Sequence, residues 1–329
     1  MAEYKSIKGF KVQSLAADPS GPVGQVWYNT AGDALKYQSA LGAWASGENM
    51  ITARSDLGGA GISTTAALGF GSGTAGGDQT ESYDGSTWTE LNDLNNGRYY
   101  LAGNGTSTAA LAVGGGPPYT AGYAEKWDGT SWTESGDLSR GTSPPVVDAY
   151  GSSAGSTTAA LYIAGGENPP VALTELFDGT SWTEVNDLNT ARSFATAAGT
   201  TSAALYTAGG IWPGDNNSKL TEEWDGTSWA EVADCNTARI SASSSVQGTT
   251  SLSLIYSGRI MPGTGVTAVT EQWDGTSWTE VGDMATARRS CTSVGVQGSA
   301  LAGGGYTTTD VATTEEWTIA NVIKTVTVS

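Results

Sequence analysis

Histidine is absent from all 329 residues. That removes imidazole acid–base catalysis, Ser-His-Asp triads and His-based metal sites from the chemistry this chain can supply. Cations are scarce as well: 15 Lys and Arg stand against 33 Asp and Glu, a formal charge of −18. A surface that follows nucleic-acid phosphates needs clustered Lys and Arg, so nucleic acid is excluded as a partner. There are only two cysteines, Cys235 and Cys291. Aligned repeats place Leu94, Leu138, Leu188 and Met284 where Cys235 stands, and Ala195 and Ala242 where Cys291 stands. Small apolar slots of that kind predict buried free thiols rather than a disulfide or redox pair. Long apolar runs are missing, including from Met1 to Pro22, so neither a signal peptide nor membrane insertion is expected. The protein is expected to stay in the cell that makes it or to leave by particle release. No stretch holds a 3.6-residue apolar period for three turns, so long helices are not expected.

What is abundant is glycine, 46 residues, with much Ala, Ser and Thr, as many short strands joined by turns require. The organising unit is the hexamer Trp-Asp-Gly-Thr-Ser-Trp at Trp224–Trp229, which recurs with small edits at Tyr83–Trp88, Trp127–Trp132, Phe177–Trp182 and Trp273–Trp278. Asp-Gly between aromatic and β-branched residues signals a β-hairpin, because Gly accepts the positive φ the turn demands. Aromatics copied in every unit predict packing residues rather than a ligand platform.

First aromatics at Tyr83, Trp127, Phe177, Trp224, Trp273 and Trp317 are spaced by 44, 50, 47, 49 and 44 residues, the range of four-stranded propeller blades. An Arg follows the closing Trp by ten residues at Arg54, Arg98, Arg192, Arg239 and Arg288, and by eight at Arg140. Each unit also carries a Glu two positions before its first aromatic: Glu81, Glu125, Glu175, Glu222, Glu271 and Glu315. Opposite charges at fixed points of every unit predict an ion-pair brace. The sixth copy has Glu315 and Trp317 but no Asp-Gly turn and no closing Trp. The orphan segment around Trp44 is the expected donor of that missing strand, with the tail Val322 to Val328 as the other candidate; either would hide exposed edges.

A Gly-Gly ending one strand, a later aromatic, and a Trp closing the next hairpin, repeated about every fifty residues from 44 to 317, resembles the kelch repeat. The resemblance implies an all-β fold, a six-bladed kelch-like β-propeller closed by its N-terminal strand, with residues 1–22 as an attachment arm and 23–329 as the propeller. Galactose oxidase-like kelch enzymes need His at copper, which this chain lacks. The Trp-Asp pairs at Trp127, Trp224 and Trp273 resemble WD repeats, but that pattern also uses a Gly-His pair. Ser82–Trp88 resembles a sialidase-type Asp box, itself a structural turn. The opening segments, from Tyr4 through "GPVGQVWYNTAGDALKY" to Arg54, resemble bacteriophage tail-fibre and other virion proteins that carry kelch-like repeats.

Together these imply a non-enzymatic virion component, a tail fibre, spike or surface decoration that contacts the host surface; a bacterial kelch-type carbohydrate-binding or scaffold protein is the alternative. A glycan-active enzyme using carboxylates alone is the third class. Three of the seven lysines sit in the arm, so Lys5, Lys8, Phe10 and Lys11 are the expected virion-docking residues. Irregular loops escape the repeat and are the expected contact points. They contain Tyr119, Trp212, Asp215, Asn216 and Met261, with Trp212 suited to stacking on a sugar or a protein. Other virion proteins are the expected partners of the arm, a host glycan or protein the partner of the loops, and self-association in the particle fits the same role. No cofactor and no metal are expected; Asp84, Asp128, Asp178, Asp225 and Asp274 are the residues a hairpin turn selects anyway.

Overall fold

The computed structural model describes residues 12–19, 25–72, 77–116, 122–139, 149–166, 169–211, 216–263 and 265–326. Among them there is no helix. Five four-stranded sheets are antiparallel meanders, running from Gly58–Ser63 through to Trp278–Glu280. Residues 44–318 form one compact unit, and residues 1–43 with 319–329 form another.

The larger unit is a β-propeller. Its sheets begin with the strands Gly58–Ser63, Ala102–Thr106, Ser152–Gly155, Thr196–Thr200 and Ser243–Ser244. These opening strands pack against one another, and Val294–Val296 packs against Gly58–Ser63. They are rich in Gly, Ala and Ser because strands that converge leave no room for larger residues: a Cβ on Gly103 would lie 2.4 Å from the Gly59 carbonyl. Second strands such as Ala160-Leu161-Tyr162-Ile163 are buried throughout, as strands covered on both faces must be.

The hexamer closes the outer hairpin of each of the five sheets. Its two aromatics are the last paired residues, as in Tyr83 with Trp88 and Trp224 with Trp229. The four residues between them form the turn. Gly226 takes φ 95°, a left-handed value that a side chain would strain. Asp225 Oδ1 accepts the backbone N–H of Thr227 and Ser228 at 2.8 Å, and the other four copies repeat this. Paired aromatics lie 4.8–5.4 Å apart, centroid to centroid.

The expected six-bladed propeller closed by its N-terminal strand is met in part, with five four-stranded blades. Beside the five four-stranded sheets stands one six-stranded sheet, ordered Gln13–Leu15, Val26–Asn29, Ala34–Ser46, Thr314–Thr325, Ser299–Gly303, Val294–Val296. The reason is that Val26–Asn29 folds back antiparallel on Ala34–Ser46, and Gln13–Leu15 then adds parallel to Val26–Asn29. In the smaller unit, Asp18 holds that extension together. Its carboxylate accepts from Trp27 Nε1 at 3.1 Å, Asn29 Nδ2 at 2.5 Å and Lys36 Nζ at 2.9 Å, and Trp27 is fully buried.

Candidate functional site at the propeller axis

The brace predicted from sequence is present. Arg54–Glu81 (2.9 Å), Arg98–Glu125 (2.5 Å), Arg192–Glu222 (2.5 Å) and Arg288–Glu315 (3.4 Å) are buried ion pairs, and Arg239–Glu271 is a fifth. Arg140 lies outside the described residues. Each Glu also accepts backbone N–H groups from the loop that carries its Arg, as Glu222 does from Asn189 (2.7 Å) and Thr190 (3.3 Å). The guanidinium meanwhile donates to carbonyls of the second strand and of the residue just after it: Arg192 reaches Tyr206 and Ala208. Burying two charges is costly unless the remaining hydrogen-bonding positions are filled; most are filled here, with Nε of Arg54, Arg239 and Arg288 making no hydrogen bond, and the set fixes the loops that carry the five arginines.

Those loops end in a ring. Six residues, Asp56, Tyr100, Tyr150, Phe194, Ser241 and Ser290, have φ between 52° and 67° although none is glycine. Each donates its backbone N–H to the carbonyl of the preceding member, and the circle closes. Tyr100 donates to Asp56 (2.8 Å), Tyr150 to Tyr100 (3.2 Å), Phe194 to Tyr150 (2.9 Å), Ser241 to Phe194 (2.8 Å), Ser290 to Ser241 (3.0 Å), and Asp56 to Ser290 (3.1 Å). The left-handed backbone turns each N–H toward its neighbour, and the hydrogen bond offsets the steric cost of about 1–2 kcal/mol per residue.

The ring adjoins a cavity of about 100 Å³ whose lining includes all six of its residues. Three consecutive members are aromatic and touch: Tyr100–Tyr150 and Tyr150–Phe194 both have centroids 4.4 Å apart. The other three are Ser241, Ser290 and Asp56. The cavity mouth therefore has an aromatic half and a polar half. Arg289 Nη1 stands 3.8 Å from Asp56 Oδ1, with its guanidinium over the Tyr306 ring at 4.6 Å. Ser55 Oγ donates to Asp310 at 2.7 Å and lies 3.4 Å from Asp56 Oδ2. Burial holds the Asp56 carboxyl above its ordinary 3.8, while the Ser290 hydroxyl and Arg289 pull the other way. Burial, with Asp56 and Tyr150 nearby, raises the Tyr100 phenol, which stays a hydrogen-bond donor.

Of the residues singled out from sequence, Lys5, Lys8, Phe10, Lys11, Tyr119, Trp212 and Asp215, together with the Asn216 side chain, lie outside what the structure describes. Met261 is described: its carbonyl accepts from Asn217 Nδ2 at 3.2 Å, which brings two of the irregular loops together. The loop roots are also placed. Gly116, Gly210 and Arg259 form bridges with Tyr99, Ser193 and Ile240, each next to a ring residue, and Gly166 donates to Ala149 (3.0 Å). The irregular loops thus spring from around the axial ring.

The ring itself escaped the sequence reading, yet a signal exists. Asp56, Tyr100, Phe194, Ser241 and Ser290 each stand two residues after a brace Arg; Tyr150 stands ten after Arg140. Cys235 and Cys291 are buried free thiols, and burial pushes the Cys235 thiol up to about 12, so it stays unreactive at neutral pH. The turn aspartates spend their oxygens on their own loops. Backbone and hydroxyl donors there hold Asp84 and Asp274 down to about 2.

No known protein family matches the chain, and no curated protein sequence matches it. Among solved structures it is similar to that of YjhT, a kelch-type propeller, with TM-score 0.68 at 12% identity, covering 84% of this chain and 99% of that one. At that identity the likeness concerns the fold.

Proposed function

We propose that this chain is a non-enzymatic recognition propeller of a bacteriophage particle, a tail fibre, spike or surface decoration that presents its axial face to a host-surface glycan or protein. The observation that carries the recognition role is the ring: a backbone device repeated six times whose side chains divide into an aromatic half and a polar half around a cavity. Sites that bind small ligands combine apolar walls with a few convergent polar groups in this way. The virion setting rests on the resemblance of the opening segments, with the N-terminal residues docking to other virion proteins.

We further read the inner four strands of the six-stranded sheet as a sixth blade closed by the strand that carries Trp44. Two contacts support this. Trp44 Nε1 donates to Thr270 Oγ1 at 2.9 Å, as Trp88, Trp132 and Trp229 donate to Thr314, Thr80 and Thr174 of the neighbouring sheet. The axial ring, moreover, has six members.

Binding of the purified, fluorescently labelled protein to host cells and to a glycan array tests the recognition role. The wild type is expected to bind, and the double variant Tyr150→Ser, Phe194→Ser to bind at least ten-fold more weakly. Equal binding by the two proteins, no binding to any cell or glycan, or turnover of a bound glycan overturns the reading.

A further inference from the structure

Resting on that recognition reading, we propose that the axial cavity takes a single neutral sugar ring at the free end of a glycan. The aromatic half supplies apolar ring surface for the C–H face of a pyranose: Tyr100, Tyr150 and Phe194 pack in succession against one another, and all three residues belong to the cavity lining. The polar half supplies an acceptor. Asp56 belongs to the cavity lining, its side chain is nine-tenths buried, and its Oδ1 has the Arg289 guanidinium at 3.8 Å but no hydrogen bond. A buried carboxylate oxygen with a countercharge and no hydrogen-bond donor still has an open acceptor position, and a ligand hydroxyl is a group that would fill it.

Charge selects the class of sugar. A chain of net charge −18 with an aspartate in the lining of its cavity disfavours an anionic ring. Arg289 already faces both the Asp56 carboxylate and the Tyr306 ring, so Asp56 has a countercharge and a ligand cation is not needed to supply one. What remains is a neutral ring that donates hydroxyls to Asp56 and exchanges hydrogen bonds with Ser241 and Ser290.

The restriction to a chain end comes from an insertion in the fifth sheet. From Phe194 to the Thr200 hairpin hydroxyl is six residues, and from Ser241 to its counterpart Thr249 is eight. The extra length carries Val246 and Gln247 away from the short strand Ser243–Ser244 and in among the other opening strands. There the Val246 carbonyl accepts from Gly199 N (3.2 Å), Gln247 N donates to the Gly295 carbonyl (2.9 Å), and Gln247 Nε2 donates to the Gly155 carbonyl (3.2 Å). Those three partners belong to three different sheets, so the pair ties across the axis, and Val246 lines the cavity. A glycan cannot be threaded through an axis closed in this way; it can only insert one terminal ring.

Titration calorimetry with methyl pyranosides, the corresponding uronic acids and the corresponding amino sugars tests the proposal. At least one neutral methyl pyranoside is expected to bind at least ten-fold more tightly than its uronate and its hexosamine. Asp56→Asn, shown to be folded by circular dichroism, is expected to lose at least ten-fold for the neutral ligand. Deleting residues 246–247 is expected to admit oligosaccharides whose terminal ring is chemically blocked, which the wild type rejects. Tighter binding of the uronate or the amino sugar, undiminished binding by Asp56→Asn, or wild-type binding of the end-blocked oligosaccharides overturns the inference. Cell binding that depends on Tyr150 and Phe194 without any pyranoside binding also overturns it but leaves the recognition role standing; loss of both sinks the two together.

Discussion

The outer hairpin turn and the axial ring both place a left-handed residue at a fixed point of the repeat, but they use it in opposite ways. In the turn, Gly occupies the position in all five copies, φ stays between 94° and 98°, and the flanking Asp and Trp repeat with it. In the ring, φ is equally constant at 52° to 67°, yet the occupants are Asp, Tyr, Tyr, Phe, Ser and Ser. Packing dictates both backbone and side chain in the turn, because the Asp caps the loop and the aromatics bury against each other. In the ring, packing dictates only the backbone. Side chains there are free to differ, and their sorting into contiguous halves is what a ligand, rather than the fold, would select. Repetition therefore marks scaffold, and a repeated conformation that carries large, unrepeated side chains marks the candidate site.

The comparison is broken most forcefully by attacking the scaffold. Arg192→Met leaves Glu222 buried without its countercharge, since the partner side chain is only 2% exposed. Losing one partner of a buried pair typically costs about 3–5 kcal/mol. Urea denaturation followed by tryptophan fluorescence should show that loss, while glycan or cell binding per folded molecule stays within two-fold of wild type. A destabilisation below about 1 kcal/mol would mean that the braces are not what holds the loops behind the ring.

Asp56 sharpens the other side of the comparison, where stability and binding are expected to oppose each other. Its carboxyl sits above the ordinary 3.8, chiefly through burial. A raised folded-state pKa means that stability from this group is present at pH below the unfolded value and is lost as pH rises through the folded one. Near neutral pH, Asp56→Asn is therefore expected to be at least as stable as wild type, within the range of about 0.5–2 kcal/mol that site replacements commonly return. As pH falls below 4 the advantage disappears. Thermal melts at pH 7 and pH 3 check the sign; a variant less stable at pH 7 than at pH 3, relative to wild type, would make Asp56 a structural residue instead.

Much of the scaffold was legible because its determinants are local or periodic. The hexamer announces a hairpin within six residues, and the Arg and Glu series announce pairing because opposite charges recur in step. How the edge extension joins the sheet was not legible. Val26–Asn29 and Gln13–Leu15 have no repeat partner to align with, and strand addition at a sheet edge depends on backbone groups rather than on residue type. The ring was hidden for a related reason: aligning repeats rewards positions that agree, and these disagree. The insertion between Arg140 and Tyr150 then moves one member out of register. The two extra residues at Val246 and Gln247 were visible as a length difference, but only the hydrogen bonds across the axis show what that difference does.

The smallest effect lies at the seam between sheets, where the closing Trp of one sheet donates Nε1 to a Thr hydroxyl of its neighbour. Trp132 finds Thr80, Trp229 finds Thr174 and Trp44 finds Thr270. Trp182 and Trp278 find no acceptor: Ala124 occupies the position facing Trp182, whereas Thr221 stands at the position facing Trp278 with its hydroxyl likewise unpaired. An unmade buried hydrogen bond costs about 1–3 kcal/mol, whereas a made one contributes about 0.5–1.5 kcal/mol. Ala124→Thr should thus stabilise the protein by up to about 1 kcal/mol, less whatever crowding the two added heavy atoms cause in a closed site. Thr270→Ala should cost about the same amount as Thr174→Ala, since both orphan an indole N–H. Equal losses in those two variants would identify Trp44 as an ordinary member of the seam; a negligible loss for Thr270→Ala alone would separate the N-terminal strand from the repeat it is read as completing.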